Sequence, residues 1–259
     1  MLIPNRHFSP FKLFLDKPTR TAVMLNPKVL TTFTRHFLTD GFAQHHGRTD
    51  PSEGRYRLLS VPRRFPVAPL THFAGFIADP GRYALYALVR NPYGRLLSAW
   101  RNKFLDGHSR SPDHSDAAYS RGIRRNELQP LRRYAATHGL PGGAPATLIP
   151  FSTFLAYVAS HPPGQRDHHW DAQTRVLMTD RLRYTRIWRI EDELPEGFLT
   201  LGQRLSFPET WIRHRLETPV NPSKGRASSY TPELATLAQR IIAEDLAHFG
   251  YSADSWQDY

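Results

Sequence analysis

The sequence predicts an α/β fold in which a parallel sheet is flanked by helices. Short apolar runs typical of buried strands alternate along the chain with segments whose apolar residues follow the helical period. The chain has no internal repeat and no heptad pattern, and its 259 residues can bury a substantial core. We therefore expect a single domain over residues 1–259, interrupted by a polar excursion, with some helix, at about 106–145.

The predicted strands are short and apolar, as strands of a buried parallel sheet usually are. Residues 83–89, YALYALV, suit a strand that is buried on both faces. The other predicted strands are Thr21–Leu25, Ala146–Ile149 and Arg186–Ile190.

The last predicted helix has the clearest limits. Thr231 is its N-cap, Pro232 lies in the first turn, Glu233 faces the positive end of the helix dipole, and Gly250 ends it. The other predicted helices are Thr31–Leu38, Tyr93–Phe104 and, approximately, Ser152–Ala159.

Composition excludes several kinds of site and leaves the ligand class open. The absence of cysteine rules out disulfides, thiolate metal sites and a cysteine nucleophile. No stretch approaches the roughly 18 apolar residues of a membrane span, so we expect a soluble, cytoplasmic protein. The net charge of +11 comes with 29 arginines against 5 lysines. This bias suits a phosphate, sulfate or nucleic-acid ligand, and a GC-rich genome explains it equally well.

The stretch AVMLNPKVLTTFTRHFL, residues 22–38, has the order of a phosphate-binding element. An apolar strand breaks at Asn26-Pro27, Lys28 follows in a tight turn, and Thr31 and Thr32 open a helix. Backbone N–H groups at such a turn, together with the positive helix end, attract anions. The Walker pattern G-x-x-x-x-G-K-[ST] is absent, so nothing here demands a metal ion.

A second stretch, VRNPYGRLLSAWRNKF at residues 89–104, places polar residues beside a strand end. Arg90 closes the apolar strand, and Arg95, Ser98 and Asn102 share one face of the following helix. Ligands of open α/β sheets lie at the carboxyl edge of the strands, where Arg90 and Ser98 can converge on one anion. Alternatively, both residues only cap and solvate the helix.

Together, the two stretches resemble the sulfotransferases, and most closely the carbohydrate sulfotransferases of the family-2 type. Residues 27–32 resemble the 5′-phosphosulfate loop P-K-V-G-x-T-S, and residues 90–104 resemble the 3′-phosphate motif R-D-P-x-x-R-x-x-S-x-Y-R-x-K-F. Weaker resemblances are residues 151–158 to F-x-x-F-x-x-Y-V, residues 169–173 to H-W-x-P-Q, residues 190–192 to V-E-x-L, and segments near 221–223 and 245–251. The chain departs from the pattern at Leu30, Phe33 and Asn91.

The resemblance implies a P-loop-like sulfotransferase fold that binds 3′-phosphoadenosine-5′-phosphosulfate (PAPS). The acceptor implied is a hydroxyl compound, in particular a saccharide, and we expect no nucleic-acid partner and no metal. Lys28 would neutralise the oxygen released as the S–O bond breaks. The residues assigned to PAPS are Pro27, Lys28, Val29, Thr31 and Thr32 around the phosphosulfate and Arg90 and Ser98 at the 3′-phosphate, with Lys224 and Arg226 either closing over the nucleotide or forming a solvated basic turn.

The acceptor hydroxyl needs a base, and His72 is the first candidate. It stands in PLTHFAGF, at a place where the family often carries a histidine in a G-H-x-x-F-like context, and a neutral imidazole suits the task. His169, in HHWDAQ, is the second candidate, with a structural role beside Trp170 as the alternative. We expect no metal site at His168 and His169, because neighbouring side chains diverge and no third ligand is obvious.

Three other functions stay open at this stage. Leu30, where the family prefers a small residue, suggests a PAPS-fold protein that binds the nucleotide without catalysis. The positive charge alone suggests a nucleic-acid-binding protein, although the sequence has no zinc spacing, aromatic RNA-binding signature or helix-turn-helix. A nucleotide kinase is a more distant alternative, because the Walker pattern is absent.

Overall fold

A computed structural model describes residues 5–8, 12–45, 70–105, 123–145, 147–217 and 229–259, and for residues 70–73 and 123–126 it describes the backbone alone. These residues form four strands: β1 (Leu13–Asp16), β2 (Thr21–Met24), β3 (Ala84–Val89) and β4 (Arg186–Arg189). Their α-helices are α1 (Thr31–His45), α2 (Leu70–Ala78), α3 (Pro92–Trp100), α4 (Ile123–Thr137), α5 (Phe151–Ala159), α6 (Gln173–Leu177), α7 (Leu194–Arg204), α8 (Glu209–Glu217) and α9 (Pro232–Phe249).

The chain divides into two compact units. The sheet unit comprises Met1–Arg90 and Gln173–Lys224, and the helical unit comprises Asn91–Ala172 and Gly225–Tyr259. The expectation of a single domain over residues 1–259 stays a prediction. Residues 106–122 of the expected polar excursion lie outside the described part of the chain, while α4 confirms that the excursion contains helix.

The sheet unit confirms the predicted α/β fold with a parallel sheet. Its strand order is β1-β2-β3-β4, and β2, β3 and β4 run parallel. Met24 pairs with Ala87, and Val89 pairs with Arg189, so the three parallel strands end at one edge of the sheet. β1, which the sequence analysis missed, is antiparallel to β2 and is buried along its whole length.

Helix α1 is longer than predicted because Gly41 does not end it. A Cβ atom at Gly41 would lie 2.4 Å from the ring of Phe207, so glycine is needed there for close packing and not as a helix stop. The helix covers the sheet unit with aromatic contacts. The ring of Phe198 on α7 lies 4.9 Å from Phe33 and 4.8 Å from Phe37, between ring centroids.

The predicted strand Ala146–Ile149 is wrong. Ala146 lies outside the described residues, and residues 147–150 are irregular backbone that leads directly into α5. The carbonyl oxygen of Ile149 accepts a hydrogen bond from the indole nitrogen of Trp100 at 2.9 Å, in place of a donor from a neighbouring strand. Pro150 has no N–H to offer a ladder either.

The limits of the motif helix differ from the prediction at both ends. α3 begins at Pro92, capped by Asn91, whose side-chain oxygen accepts the N–H of Tyr93 at 3.0 Å. Asparagine thus supplies the cap at the position where the family carries an acid. The last predicted turn is a π-helix, Arg101–Leu105, a distortion that is frequent at functional sites.

The last helix agrees with its sequence signals. The hydroxyl of Thr231 accepts the N–H of Leu234, Pro232 stands in the first turn, and Gly250 adopts the left-handed conformation at φ 70°. The helical unit packs this helix against α5 and α3 around a buried core that includes Trp100, Phe154 and Trp170.

Candidate functional site

The loop between β2 and α1 holds its backbone in an uncommon conformation. Lys28 has φ 68° and Leu30 has φ 49°, so two side-chain-bearing residues occupy the left-handed region that favours glycine. This region costs an ordinary residue roughly 1–2 kcal/mol, and such strain clusters at ligand-binding sites.

The threonines that follow the loop divide into two roles. The hydroxyl of Thr31 donates to the carbonyl oxygen of Asn26 at 2.8 Å, so it closes the loop on itself. Thr32 is exposed, and its side chain makes no hydrogen bond to the described residues. Of the two predicted hydroxyl donors, Thr32 is therefore the one that stands open to a ligand, and Thr31 shapes the turn.

A buried glutamine joins the two strand ends that the sequence analysis singled out. The side-chain oxygen of Gln173 accepts the backbone N–H of Arg90 at 3.0 Å and the side-chain amide of Asn26 at 2.9 Å. Its side-chain nitrogen donates to the carbonyl oxygen of Arg90 at 2.8 Å. Gln173 is fully buried, and Asn26 is only 2% exposed. This arrangement ties the start of the Lys28 loop to Arg90 within the sheet unit.

The sequence analysis quoted Gln173 within a weak resemblance and gave it no role. The sequence carries no clear signal for this role, because the short helix QTRVL mixes polar and apolar residues, and four of its five residues are buried. A buried amide without partners would be costly, which is the reason to look for hydrogen bonds at such a position.

The two residues assigned to the 3′-phosphate belong to different units. Arg90 is half-buried at the end of β3, in the sheet unit, and Ser98 is half-buried on α3, in the helical unit. The hydroxyl of Ser98 makes no hydrogen bond to the described residues. Their assignment to one phosphate stays a prediction.

Arg95, which the sequence analysis placed on one helix face with Ser98 and Asn102, is buried. It is 2% exposed and donates to the backbone carbonyl oxygens of His168 at 2.8 Å and Asp171 at 2.5 Å. Burial lowers the pKa of Arg95 to about 10, although nearby carboxylates, Asp245 first among them, oppose the shift. Its guanidinium therefore anchors the turn at residues 168–171 to the motif helix.

That turn brings three polar side chains together. Asp167 Oδ1 accepts a hydrogen bond from His169 Nδ1 at 2.6 Å, and the ring centroids of His168 and His169 lie 4.1 Å apart. The expectation that these neighbouring side chains diverge is wrong, because the irregular backbone at this turn lacks the alternation of a strand.

These side chains also have the spacing of metal ligands. Asp167, His168 and His169 offer ligand atoms that all lie within 4.8 Å of one another. The nearest pair, however, is already joined by a hydrogen bond between Asp167 Oδ1 and His169 Nδ1. The spacing by itself therefore assigns no metal.

A buried carboxyl group, that of Glu127, lies close to the ring of His169. Glu127 is 7% exposed, its Oε1 lies 3.6 Å from His169 Nδ1, and its Oε2 lies 3.3 Å from the ammonium of Lys103. Burial and then the nearby Asp167 raise the pKa of Glu127 to about 7, against the opposing effect of Lys103. Lys103, in the middle of the motif R-N-K-F, is thus committed to Glu127.

Three of the predicted site residues cannot be placed. His72 falls in α2, and its side chain lies outside the described part of the structure. Lys224 and Arg226 fall between residues 218 and 228, which are also outside it. Their roles stay predictions.

The chain matches the model of the Sulfotransferase family over residues 63–252, and it therefore belongs to that family. The matched region contains the motif at residues 90–104 and begins after the loop at residues 27–32. No helix among the described residues is long and apolar enough to cross a membrane.

Among curated proteins, the chain is similar to two carbohydrate sulfotransferases. It is 26% identical to carbohydrate sulfotransferase 8 of Homo sapiens over 182 residues. These matched residues cover 68% of this chain and 40% of that protein. It is 25% identical over 175 residues to carbohydrate sulfotransferase 9 of Homo sapiens, covering 65% of this chain and 36% of that protein. The chain thus spans about two fifths of the length of these relatives. No solved structure matches the chain with significance.

Proposed function

We propose that this chain transfers the sulfuryl group of PAPS to a hydroxyl group of a carbohydrate acceptor. Membership of the Sulfotransferase family supports the reaction class, and similarity to carbohydrate sulfotransferases 8 and 9 supports the acceptor class. The rest of the proposal comes from the edge of the sheet where β2 and β3 end.

The hydrogen bonds of Gln173 support the proposal. They hold the start of the Lys28 loop and the backbone of Arg90 to one buried amide, so these two anion-binding candidates belong to one edge of the sheet unit. Ligands of open α/β sheets bind at this edge. A donor with two anionic groups, a phosphosulfate and a 3′-phosphate, is the kind of ligand that needs both stretches.

In the proposed reaction, positioning and charge supply most of the acceleration. The acceptor oxygen bonds to sulfur while the S–O bond to the 5′-phosphate breaks, and the electron pair stays on the phosphate oxygen. Lys28 and the N–H groups at the start of α1 stabilise the charge that develops on this oxygen. Thr32 donates a hydroxyl hydrogen bond, and Arg90 and Ser98 recognise the 3′-phosphate.

Nucleotide binding tests the donor half of the proposal. The desulfated product, 3′-phosphoadenosine-5′-phosphate (PAP), should raise the melting temperature of the protein, and AMP and ATP should raise it much less. Arg90→Ala should remove this preference for the 3′-phosphate. The matched control is Arg189→Ala, which changes an arginine at the end of the adjacent parallel strand. If Arg90→Ala kept the preference, the assignment of Arg90 would be wrong.

Transfer of labelled sulfate tests the reaction itself. The wild-type protein should sulfate at least one member of a panel of oligosaccharides when it is supplied with PAPS. Tight binding of PAP without transfer to any saccharide, simple alcohol or phenol would instead identify a nucleotide-binding module, the alternative that Leu30 suggested.

A further inference from the structure

The segment at residues 252–259, which follows α9, contacts the first turn of the motif helix α3 at three different points. We propose that this segment positions α3 for recognition of the 3′-phosphate of PAPS, with Ser255 and Tyr259 as its positioning residues. The inference rests on the proposed function, in which Ser98 of α3 binds that phosphate. All the contacts that carry it lie within the helical unit.

The first contact joins Ser255 to the cap of α3. The side-chain oxygen of Asn91 accepts the N–H of Tyr93, so the side-chain nitrogen of Asn91 is the atom that donates to the hydroxyl oxygen of Ser255, at 2.8 Å. Ser255 donates its own proton to the carbonyl oxygen of Ser252 at 2.7 Å. Because a hydroxyl group has one proton, Ser255 can only accept a hydrogen bond from residue 91.

This hydrogen bond gives a physical reason for the departure from the family motif at Asn91. An aspartate at this position would offer only acceptor oxygens to Ser255, whose proton is donated to Ser252. It would also place a charge where the side chain is 4% exposed. Asn91 and Ser255 are therefore chemically matched, which ties the segment at residues 252–259 to the cap of the motif helix.

The second contact is made by a buried tyrosine in the same turn. Tyr93 is fully buried, and its phenol donates to the carbonyl oxygen of Ala253 at 2.8 Å. The backbone carbonyl oxygen of Tyr93 in turn accepts from the phenol of Tyr230, which lies just before α9, at 2.9 Å. Residues on both sides of α9 thus hold the first turn of α3.

The third contact depends on a glycine inside the helix. A Cβ atom at Gly94 would lie 2.4 Å from the ring of Tyr259, so this ring packs directly on the backbone of α3. Glycine weakens a helix relative to alanine, and its presence inside α3 therefore needs a packing reason. The ring of Tyr259 supplies that reason, because no larger residue fits beneath it.

The three contacts together determine where Ser98 lies. Contacts at three points of one turn restrict both the displacement of α3 and its rotation about its own axis. Ser98 follows Gly94 by four residues, so it lies one turn further along the same side of the helix. A hydroxyl–phosphate hydrogen bond weakens steeply when its distance or angle changes. Loss of the contacts should therefore weaken recognition of the 3′-phosphate more than it weakens binding of the rest of the nucleotide.

Nucleotide affinities with a matched serine control test the role of Ser255. Ser255→Ala should weaken the binding of PAP by about 2–10-fold, the effect that one hydrogen bond usually has. Its affinity for AMP, which lacks the 3′-phosphate, should stay unchanged, and Ser255→Thr, which keeps the hydroxyl, should bind PAP as the wild type does. The control is Ser160→Ala, which removes a hydroxyl that donates to the carbonyl oxygen of Tyr157 at 2.7 Å after α5. It should change neither affinity. Equal losses for PAP and AMP in Ser255→Ala would overturn the positioning role.

A pair of substitutions tests the role of Tyr259. Gly94→Ala raises helix propensity but displaces the ring of Tyr259, so it should lower the ratio of PAP affinity to AMP affinity. Tyr259→Ala makes room for the added methyl group. The double variant should therefore match Tyr259→Ala alone, and the two effects should not add. Additive effects, or a Gly94→Ala protein with the wild-type ratio, would overturn the role of Tyr259.

Amide hydrogen exchange distinguishes positioning from a general loss of stability. In Ser255→Ala the N–H of Tyr93, which is bonded to the cap residue Asn91, should exchange faster, while amides in the middle of α9 should exchange as in the wild type. Faster exchange throughout the helical unit would overturn the positioning role. Wild-type protein that binds PAP no better than AMP overturns the proposed function and this inference together. A wild-type preference for PAP that Ser255→Ala fully retains overturns this inference alone.

Discussion

The side-chain amide of Gln173 binds both backbone groups of Arg90, accepting its N–H at 3.0 Å and donating to its carbonyl oxygen at 2.8 Å. A side chain here completes the hydrogen bonding of a strand end in the way that a neighbouring strand would. The same amide oxygen accepts from Asn26, which begins the Lys28 loop. Recognition at Arg90 and chemistry at Lys28 are therefore expected to respond together to changes at Gln173.

Gln173→Leu is the first prediction. Leucine fills a similar volume but leaves the N–H and C=O of Arg90 unpaired, and each unpaired buried group costs about 1–3 kcal/mol. We expect a lower free energy of unfolding in urea and weaker binding of PAP. Gln173→Glu keeps the acceptor oxygen and should recover part of both. Gln203→Leu, at an exposed position of the same unit, is the control. Wild-type affinity for PAP in a folded Gln173→Leu protein would show that the hydrogen bonds of Gln173 do not position Arg90.

Lys28→Ala is expected to affect turnover more than nucleotide affinity. The lysine acts on charge that develops as the S–O bond breaks, and this charge is absent from the bound product. Single-turnover rates with PAPS should therefore fall much further than the affinity for PAP. A change confined to the Michaelis constant for PAPS would make Lys28 an ordinary binding residue.

Leu30→Gly and Leu30→Ala together measure the strain in the loop. Both variants lose the leucine side chain, but only glycine adopts φ 49° without a steric penalty. The glycine variant should be more stable than the alanine variant by about 1 kcal/mol, read from urea unfolding. It should also keep sulfuryl transfer. An alanine variant as stable as the glycine variant would contradict the left-handed conformation.

Arg95→Met should be strongly destabilising even if no ligand is present. The guanidinium donates to the backbone carbonyl oxygens of His168 and Asp171, and methionine removes both hydrogen bonds at a cost of about 1–3 kcal/mol each. Arg101→Met, on the same helical stretch but half-buried, should cost much less. Thermal unfolding of the two variants makes the comparison. A stable Arg95→Met protein that had lost only PAP binding would contradict the anchoring role of Arg95.

Glu127→Gln should change how stability depends on pH. Because the pKa of Glu127 is raised from 4.5 to about 7 in the folded state, the folded protein binds more protons than the unfolded chain between these values. The contribution of Glu127 is therefore fully present below about pH 4.5 and is lost as pH rises towards about 7. A shift of one pKa unit corresponds to about 1.4 kcal/mol. The free energy of unfolding of the wild type should therefore fall by up to about 3 kcal/mol relative to that of Glu127→Gln across this range.

Urea unfolding at pH 5 and pH 8 checks this prediction. Glu209→Gln, at an exposed glutamate, should follow the wild type at both pH values. A difference between wild type and Glu127→Gln that does not depend on pH would mean that the buried carboxyl group titrates normally. The opposite sign would mean that Lys103 dominates over burial.

The sequence by itself determined the features whose causes are local. Thr231, Pro232 and Gly250 set the limits of the last helix because caps and left-handed stops depend on neighbouring residues only. The strand at residues 84–89, the turn at Asn26-Pro27 and the start of α1 follow equally from apolar runs and turn residues. The motif at residues 90–104 was recognisable for the same reason, since it is a continuous stretch.

Only the tertiary structure decided which polar groups meet. Gln173 and Arg90 are 83 residues apart in the chain, and Arg95 and His168 are 73 apart, so no local pattern relates them. The helix position of Arg95 gave no sign of its partners, and in the structure it is buried and donates to backbone carbonyl oxygens. Residues 147–149 have the sequence of a strand, but in the structure the carbonyl oxygen of Ile149 accepts a hydrogen bond from Trp100. In each case the partner comes from a distant part of the chain, because a buried polar group must pair with whatever packing brings beside it.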